Sequence, residues 1–218
     1  MLLLAIDTSG RQGGITLARG TDDHVDIVES TSIQGGTFSA ELIPQISELL
    51  NRHSLTAQEL EGLVAVTGPG SFTGLRVGLT AIKGLSEVLK LPIATVTSLE
   101  VLLAACGGAE QTMAALDAGR GEVYVAVLTG GGREELLLSV SDAAGLAKSR
   151  NLRTVVADVS LASKLENAEV VSYRSSEVAA QIGCRKLLAG DIVDVLALDA
   201  NYIRKSEAEY LRKLKKMG

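Results

Sequence analysis

The chain opens on an apolar run, Leu2 to Ile6, that stops at Asp7. Gly13 to Ala18 forms a second run of strand length, and Val25 to Ser30 alternates apolar and polar residues with the period of a strand. From Ser39 to Arg52 the period changes. Leu42, Ile43, Ile46, Leu49 and Leu50 make one helical stripe, and Pro44 is expected to bend its first turns. Gly62 to Val66 is uninterrupted and reads as a buried strand. Leu75 to Leu91 is helical again and stops before Pro92.

The second half repeats the opening. Ala5-Ile6-Asp7 answers to Ala115-Leu116-Asp117, and in both places a small-residue turn and a returning strand follow, Gly13 to Ala18 and Glu122 to Leu128. Further strands are predicted at Leu136 to Val140, Thr154 to Ala157 and Val170 to Tyr173, with helices over Ser176 to Leu188 and Ser206 to Met217. Gly130-Gly131-Gly132 reads as a hairpin turn. Two strand–Asp–turn–strand units predict an α/β chain of duplicated mixed-sheet lobes. This is the layout of the actin-like ATPases (the ASKHA, RNase H-like fold), with two aspartates across a cleft and the second lobe reduced. The division expected is residues 1–99 for the first lobe and 100–218 for the second.

Between the strand ending at Val66 and the helix beginning at Leu75 lies a glycine-rich turn, Thr67-Gly68-Pro69-Gly70-Ser71-Phe72-Thr73-Gly74-Leu75-Arg76. Such a turn can hold an anion on bare N–H groups at a helix N-terminus, or its glycines can simply permit tight backbone. It lacks the Gly-Lys-Ser/Thr ending of a P-loop. In an active ATPase of this layout Asp7 and Asp117 would organise magnesium and phosphates, with hydroxyls from Thr8 and Ser9. The second lobe offers no Gly-Gly loop for an adenosine. Asp7 therefore reads either as a ligand or as a relic bonded to its own turn. On the helix after the loop, Gly74, Gly78 and Ala81 form a small-residue stripe beside a larger apolar face. A helix with two such faces is either buried or used at an interface.

Composition removes several classes of function. With 218 residues and 46% hydrophobic positions the chain can bury a substantial core. No apolar run reaches the roughly 20 residues of a membrane span, and the opening run has no basic flank of a signal peptide. Two distant cysteines, Cys106 and Cys184, suit a reduced, cytoplasmic protein. The only histidines, His24 and His53, make no His-x-x-x-His pair, so no metal site is expected, and no nucleophile–His–Asp grouping suggests proteolysis. The net charge of −5 argues against binding RNA unaided. The stretch Arg204 to Gly218 is the exception, with six basic and two acidic residues. It could touch a phosphate backbone, or it could be a helix end that suits its dipole.

The wording of the loop goes further. Gly68-Pro-Gly-Ser-Phe-Thr-Gly-Leu-Arg76, with Gly78 and Lys83-Gly84-Leu85, resembles the signature of the bacterial TsaB (YeaZ) family. Leu4 to Ser9, Thr97-Ser98-Leu99-Glu100, Ala115 to Ala118, Gly121 to Tyr124 and Tyr202 to Glu209 match in the same order across nearly the whole chain. The resemblance implies an accessory subunit, not an enzyme, for threonylcarbamoylation of an adenosine in tRNA. It implies a partner catalytic subunit, TsaD, and an ATPase subunit, TsaE, with tRNA reached only through the complex and no membrane. It also implies that the first two helices pack against TsaD or a second copy of the chain, through Leu42, Ile46, Leu49, Gly74, Leu75, Gly78 and Ala81. No nucleotide is expected on the chain alone, though ATP or ADP could sit where it meets its partners. Phe38-Ser39 stands where the family commonly has His-Ser. The alternative is a working ATPase or phosphotransferase of the same fold.

Overall fold

The computed structural model describes residues 1–21, 23–201 and 203. The helix over Ser206 to Met217, the basic stretch from Arg204 and most of the Tyr202 to Glu209 motif lie outside the described residues.

Each half of the chain builds the same unit. In the first, β1 (Leu2–Asp7), β2 (Gln12–Gly20) and β3 (Val25–Gln34) form an antiparallel meander. Helix α1 (Phe38–Arg52) then crosses to β4 (Gly62–Val66), parallel to β1, and α2 (Phe72–Leu89) crosses to β5 (Ile93–Val96), parallel to β4. Helix α3 (Ser98–Ala105) closes the unit. The second half repeats the order with β6 (Thr112–Gly119), β7 (Glu122–Thr129), β8 (Gly132–Ser139), α4 (Val140–Ser149), β9 (Arg153–Val156), α5 (Val159–Ala162), β10 (Glu169–Val170) and α6 (Ser175–Leu188). The sheet orders, β3-β2-β1-β4-β5 and β8-β7-β6-β9-β10, are the same. This is the duplicated α/β layout that the two Asp-ended strands predict. The second copy is the smaller, since α5 has four residues where α2 has 18.

The closing helices are exchanged. Helix α3 supplies Leu99, Leu102 and Leu103 to a core with Ala114, Ala126 and Val155 of the second sheet. Helix α6 lays Ala179, Ala180, Cys184 and Leu187 against Leu3, Ala5, Val64 and Val66 of the first. The other face of the first sheet carries Leu4, Ile6, Ile15 and Leu17 against Leu42, Ile46 and Leu49 of α1 and Leu75, Leu79 and Ile82 of α2. With helices on both faces β1 is buried at every residue, which explains its unbroken apolar run. A boundary between residues 99 and 100 falls in the first turn of α3, and α6 returns across it. The segment after α6 also returns, since Val193 bridges to the β5 edge at Ile93 and Leu198 enters the first core.

Glu29 ties β3 to the end of α1. Its carboxylate accepts from Arg52 Nη2 at 2.6 Å and faces His53 Nε2 at 2.7 Å. The Arg52 hydrogen bond first, and His53 second, hold the Glu29 carboxyl below its ordinary value of 4.5. A depressed carboxylate stabilises the fold fully above that value and loses the contribution as pH falls through the folded-state value. Glu29→Gln should therefore melt at lower temperature than the parent chain at pH 7, with the difference vanishing towards pH 3. Melting curves across that range check it, and a pH-independent difference would exclude the linkage.

Candidate functional site

The turn after β1 and the glycine-rich loop after β4 lie side by side because β1 and β4 are parallel neighbours. Asp7 is buried, and its Oδ1 accepts the Ser9 N–H at 2.8 Å. Thr8 Oγ1 donates to the Gly74 carbonyl at 2.8 Å. The Ser9 carbonyl accepts the Ser71 N–H at 2.6 Å, and Ser9 Oγ accepts from Ser98 Oγ at 3.2 Å. The Ser98 N–H in turn donates to the Gly68 carbonyl. Asp7 Oδ1, Thr8 Oγ1 and Ser9 Oγ are thus engaged within the joined turn, loop and α3 N-terminus. Asp117 makes the corresponding bond in the second copy, its Oδ1 accepting the Gly119 N–H at 2.7 Å, but there the aspartate is exposed. The chain duplication extends to this turn, in which each aspartate bonds the amide two residues on.

The loop itself is shorter than its sequence suggests. Ser71 caps α2, its Oγ accepting the Gly74 N–H at 3.3 Å, so Phe72, Thr73 and Gly74 form the first helical turn. Gly68 has a φ of 97°, a left-handed conformation natural to glycine, and precedes a cis bond to Pro69. In the second copy only Ala157 and Asp158 separate β9 from α5, so no counterpart of the loop exists there.

The small-residue stripe of α2 faces inward. A Cβ on Gly74 would lie 2.1 Å from the Thr8 carbonyl oxygen, and one on Gly78 2.2 Å from Thr8 Oγ1. These glycines let α2 press onto the turn after β1. Leu42, Ile46, Leu49 and Leu75 are likewise core residues, none more than 5% exposed, and Ala81 is half-buried against the same core. The positions expected to form a partner surface are thus packed within the chain's own core. They are consumed by the chain's own packing, because the stripe periodicity that marks an interface also marks a core. The surface of the two helices is made of other residues, with Ile43 55% exposed on α1 and Phe72 49% and Val88 79% exposed on α2. The Arg76 guanidinium stacks 3.9 Å from the centre of the Phe72 ring.

Phe38 is buried at the start of α1 and reaches both Gly13 and Gly74. The ring fills space beside the Asp7 turn. Tyr173 is a second aromatic near the turn that sequence reasoning passed over. It packs against cores of both sheets, and burial first, then the Asp7 charge, pushes its phenol far above the ordinary range. With six aromatic residues in the whole chain, its rarity was the only signal. Beside Tyr173 a cavity of about 80 Å³ opens towards Gln12, Ser30 and Ser176. A second cavity of about 200 Å³ lies between Thr21, His24 and Arg185. Sites for small organic ligands start at roughly 300 Å³. Among the described residues no three His, Cys, Asp or Glu side chains gather as metal ligands, and no helix is long and apolar enough to cross a membrane.

A family model described as TsaD: tRNA N6-adenosine threonylcarbamoyltransferase matches residues 33–169. The tRNA threonylcarbamoyladenosine biosynthesis protein TsaB of Bacillus subtilis (strain 168) is 39% identical over 57% of this chain and 53% of its own. The protein of the same name from Haemophilus influenzae is 33% identical over 57% and 52%. The chain belongs to this family, in its TsaB (YeaZ) branch. Its matches span about half the length of these curated relatives. YeaZ from Pseudomonas aeruginosa shares the fold, with a TM-score of 0.72 at 21% identity over 92% of this chain and 99% of that one. The two-lobed, actin-like fold is therefore the observed one.

Proposed function

We propose that this chain is a non-catalytic scaffold in the synthesis of threonylcarbamoyladenosine in tRNA, binding and activating a TsaD-type catalytic subunit. The observation that carries the non-catalytic reading is the internal use of the Asp7–Ser9 turn. Asp7, Thr8 and Ser9 each bond to the chain itself, and in the second copy only Ala157 and Asp158 connect β9 to α5. The family relationship supports the process, and the relatives' names supply it. The ATPase subunit TsaE, a separate enzyme that makes threonylcarbamoyl-AMP, and ATP or ADP all enter at the level of the assembled complex, in the cytoplasm. The partner surface is assigned to the outward faces of α1 and α2, around Ile43, Phe72, Arg76 and Val88, or the same faces join two copies of the chain.

The test is tRNA modification by the reconstituted components with and without this chain, read by mass spectrometry of digested tRNA. Modification should require the chain, while the isolated chain hydrolyses no ATP. Equal modification without it would remove this function. ATP hydrolysis by the isolated chain that is lost in Asp7→Ala would establish an enzyme instead.

A further inference from the structure

The Thr97-Ser98-Leu99-Glu100 motif starts α3, where the chain passes from the first sheet to the second. Thr97 Oγ1 accepts the Glu100 N–H at 3.0 Å, and Glu100 Oε2 accepts the Thr97 N–H at 3.4 Å, a reciprocal cap. Both side chains also reach outward. Thr97 Oγ1 donates to Glu135 Oε1 on β8 at 2.9 Å. Glu100 pairs with Lys186 of α6 at 3.1 Å and with Arg133 of β8 at 3.3 Å, and Lys186 donates to the Thr95 carbonyl at 2.9 Å. The second oxygen of Glu135 accepts from Asn201 Nδ2 at 3.0 Å, and Arg133 Nε stands 3.4 Å from the first. Two carboxylates and two cations are balanced, and both carboxylates are only 18% exposed. Such partly buried, charge-assisted bonds are stronger than surface pairs.

What Glu135 holds gives the network its direction. Thr97 is followed by Ser98, whose N–H donates to the Gly68 carbonyl at 2.8 Å, and the Asn201 N–H donates to the Thr67 carbonyl at 2.7 Å. One carboxylate of the second sheet thus grips two points, and each is bonded through backbone to a residue that opens the glycine-rich loop. We propose that Glu135 is an inter-lobe latch that couples the position of the second lobe to the geometry of this loop. A shift of β8 away from the first lobe pulls on Thr97 and Asn201 before any sheet hydrogen bond is disturbed, and releases Thr67 and Gly68 with them. The coupling is reciprocal, so a partner that fixes the loop also fixes the second lobe.

Amide hydrogen exchange on the full chain tests the latch. In Glu135→Ala the Ser98 and Asn201 amides should exchange about tenfold faster, the loss of one charged hydrogen bond, while the Leu63 amide, bonded to the Pro92 carbonyl, keeps its protection. Glu135→Gln, which keeps one acceptor oxygen, should fall between the two. Glu134→Ala, on the same strand but paired outward with Arg150, should change none of the three. Unchanged protection at Ser98 and Asn201 in Glu135→Ala overturns the proposal. So does equal acceleration of all three amides, which would mean general destabilisation and no latch.

Discussion

Gly74→Ala should destabilise the chain by about 3 kcal/mol, the upper range for overpacking a core, and lower its melting temperature by about 6 to 12 °C for a chain of this size. The new methyl would lie 2.1 Å from the Thr8 carbonyl oxygen, a backbone atom of the turn that directly follows β1. Relief requires α2 to move off the turn, which breaks the Thr8 hydroxyl bond to the Gly74 carbonyl and opens the Leu75 contact with the core. Helix propensity works the other way, by at most about 1 kcal/mol, and is too small to compensate. Gly78→Ala differs in kind. Its methyl meets a side-chain atom, Thr8 Oγ1 at 2.2 Å, so removing that hydroxyl should help. Thr8→Ala should restore part of the stability lost in Gly78→Ala and none of that lost in Gly74→Ala. Urea unfolding midpoints of the four variants measure this. If both glycine variants unfold like the parent chain and only partner binding is lost, the stripe is an interface after all.

The sequence shows most of the frame because its strongest signals are strand-length apolar runs and long helical periods. β1, β4, α1, α2 and α6 carry those signals and lie within about three residues of their expected bounds. The repeated Ala–apolar–Asp opening also carries the duplication, down to the bond each aspartate makes two residues on. Four elements were not visible as periodicity. β5 has four residues and α5 has four, too few to show a period, and α3 and α4 have eight and ten. The two helices carry cap signals that the sequence reading did not use. Thr97 with Glu100 is a capping box, and Ser139 accepts the Asp142 N–H. The exchange of α3 and α6 between sheets was not legible at all, because an apolar helical face does not say which sheet it will cover. The same limit explains the partner surface. Leu42, Leu49 and Leu75 have the spacing of an interface helix and the burial of a core, and only the position of β1 beneath them decides between the two. Gly74 and Gly78 gave the most ambiguous signal, since close approach of a turn and close approach of a second helix demand the same residue.

Ile43→Asp should weaken association with a TsaD-type partner about a hundredfold while leaving the fold intact. Ile43 lies mid-helix on α1 and is 55% exposed, so little of the chain's own core depends on it. A charge there costs the monomer no more than about 0.5 kcal/mol, as surface changes do. In a packed interface the same carboxylate would be desolvated without a partner, and the anchor contact would be lost, which together reach the 2 to 4 kcal/mol of an interface hot spot. Val88→Asp, at the other end of α2 and 79% exposed, probes how far the contact extends. The pair of measurements is a dissociation constant from calorimetry and a melting curve for each variant. Loss of binding with an unchanged melting temperature places the partner on the outward faces of the two helices. Unchanged affinity in both variants excludes those faces. It would direct the search to exposed apolar residues on α6 and beyond it, Leu188, Ile192 and Leu196.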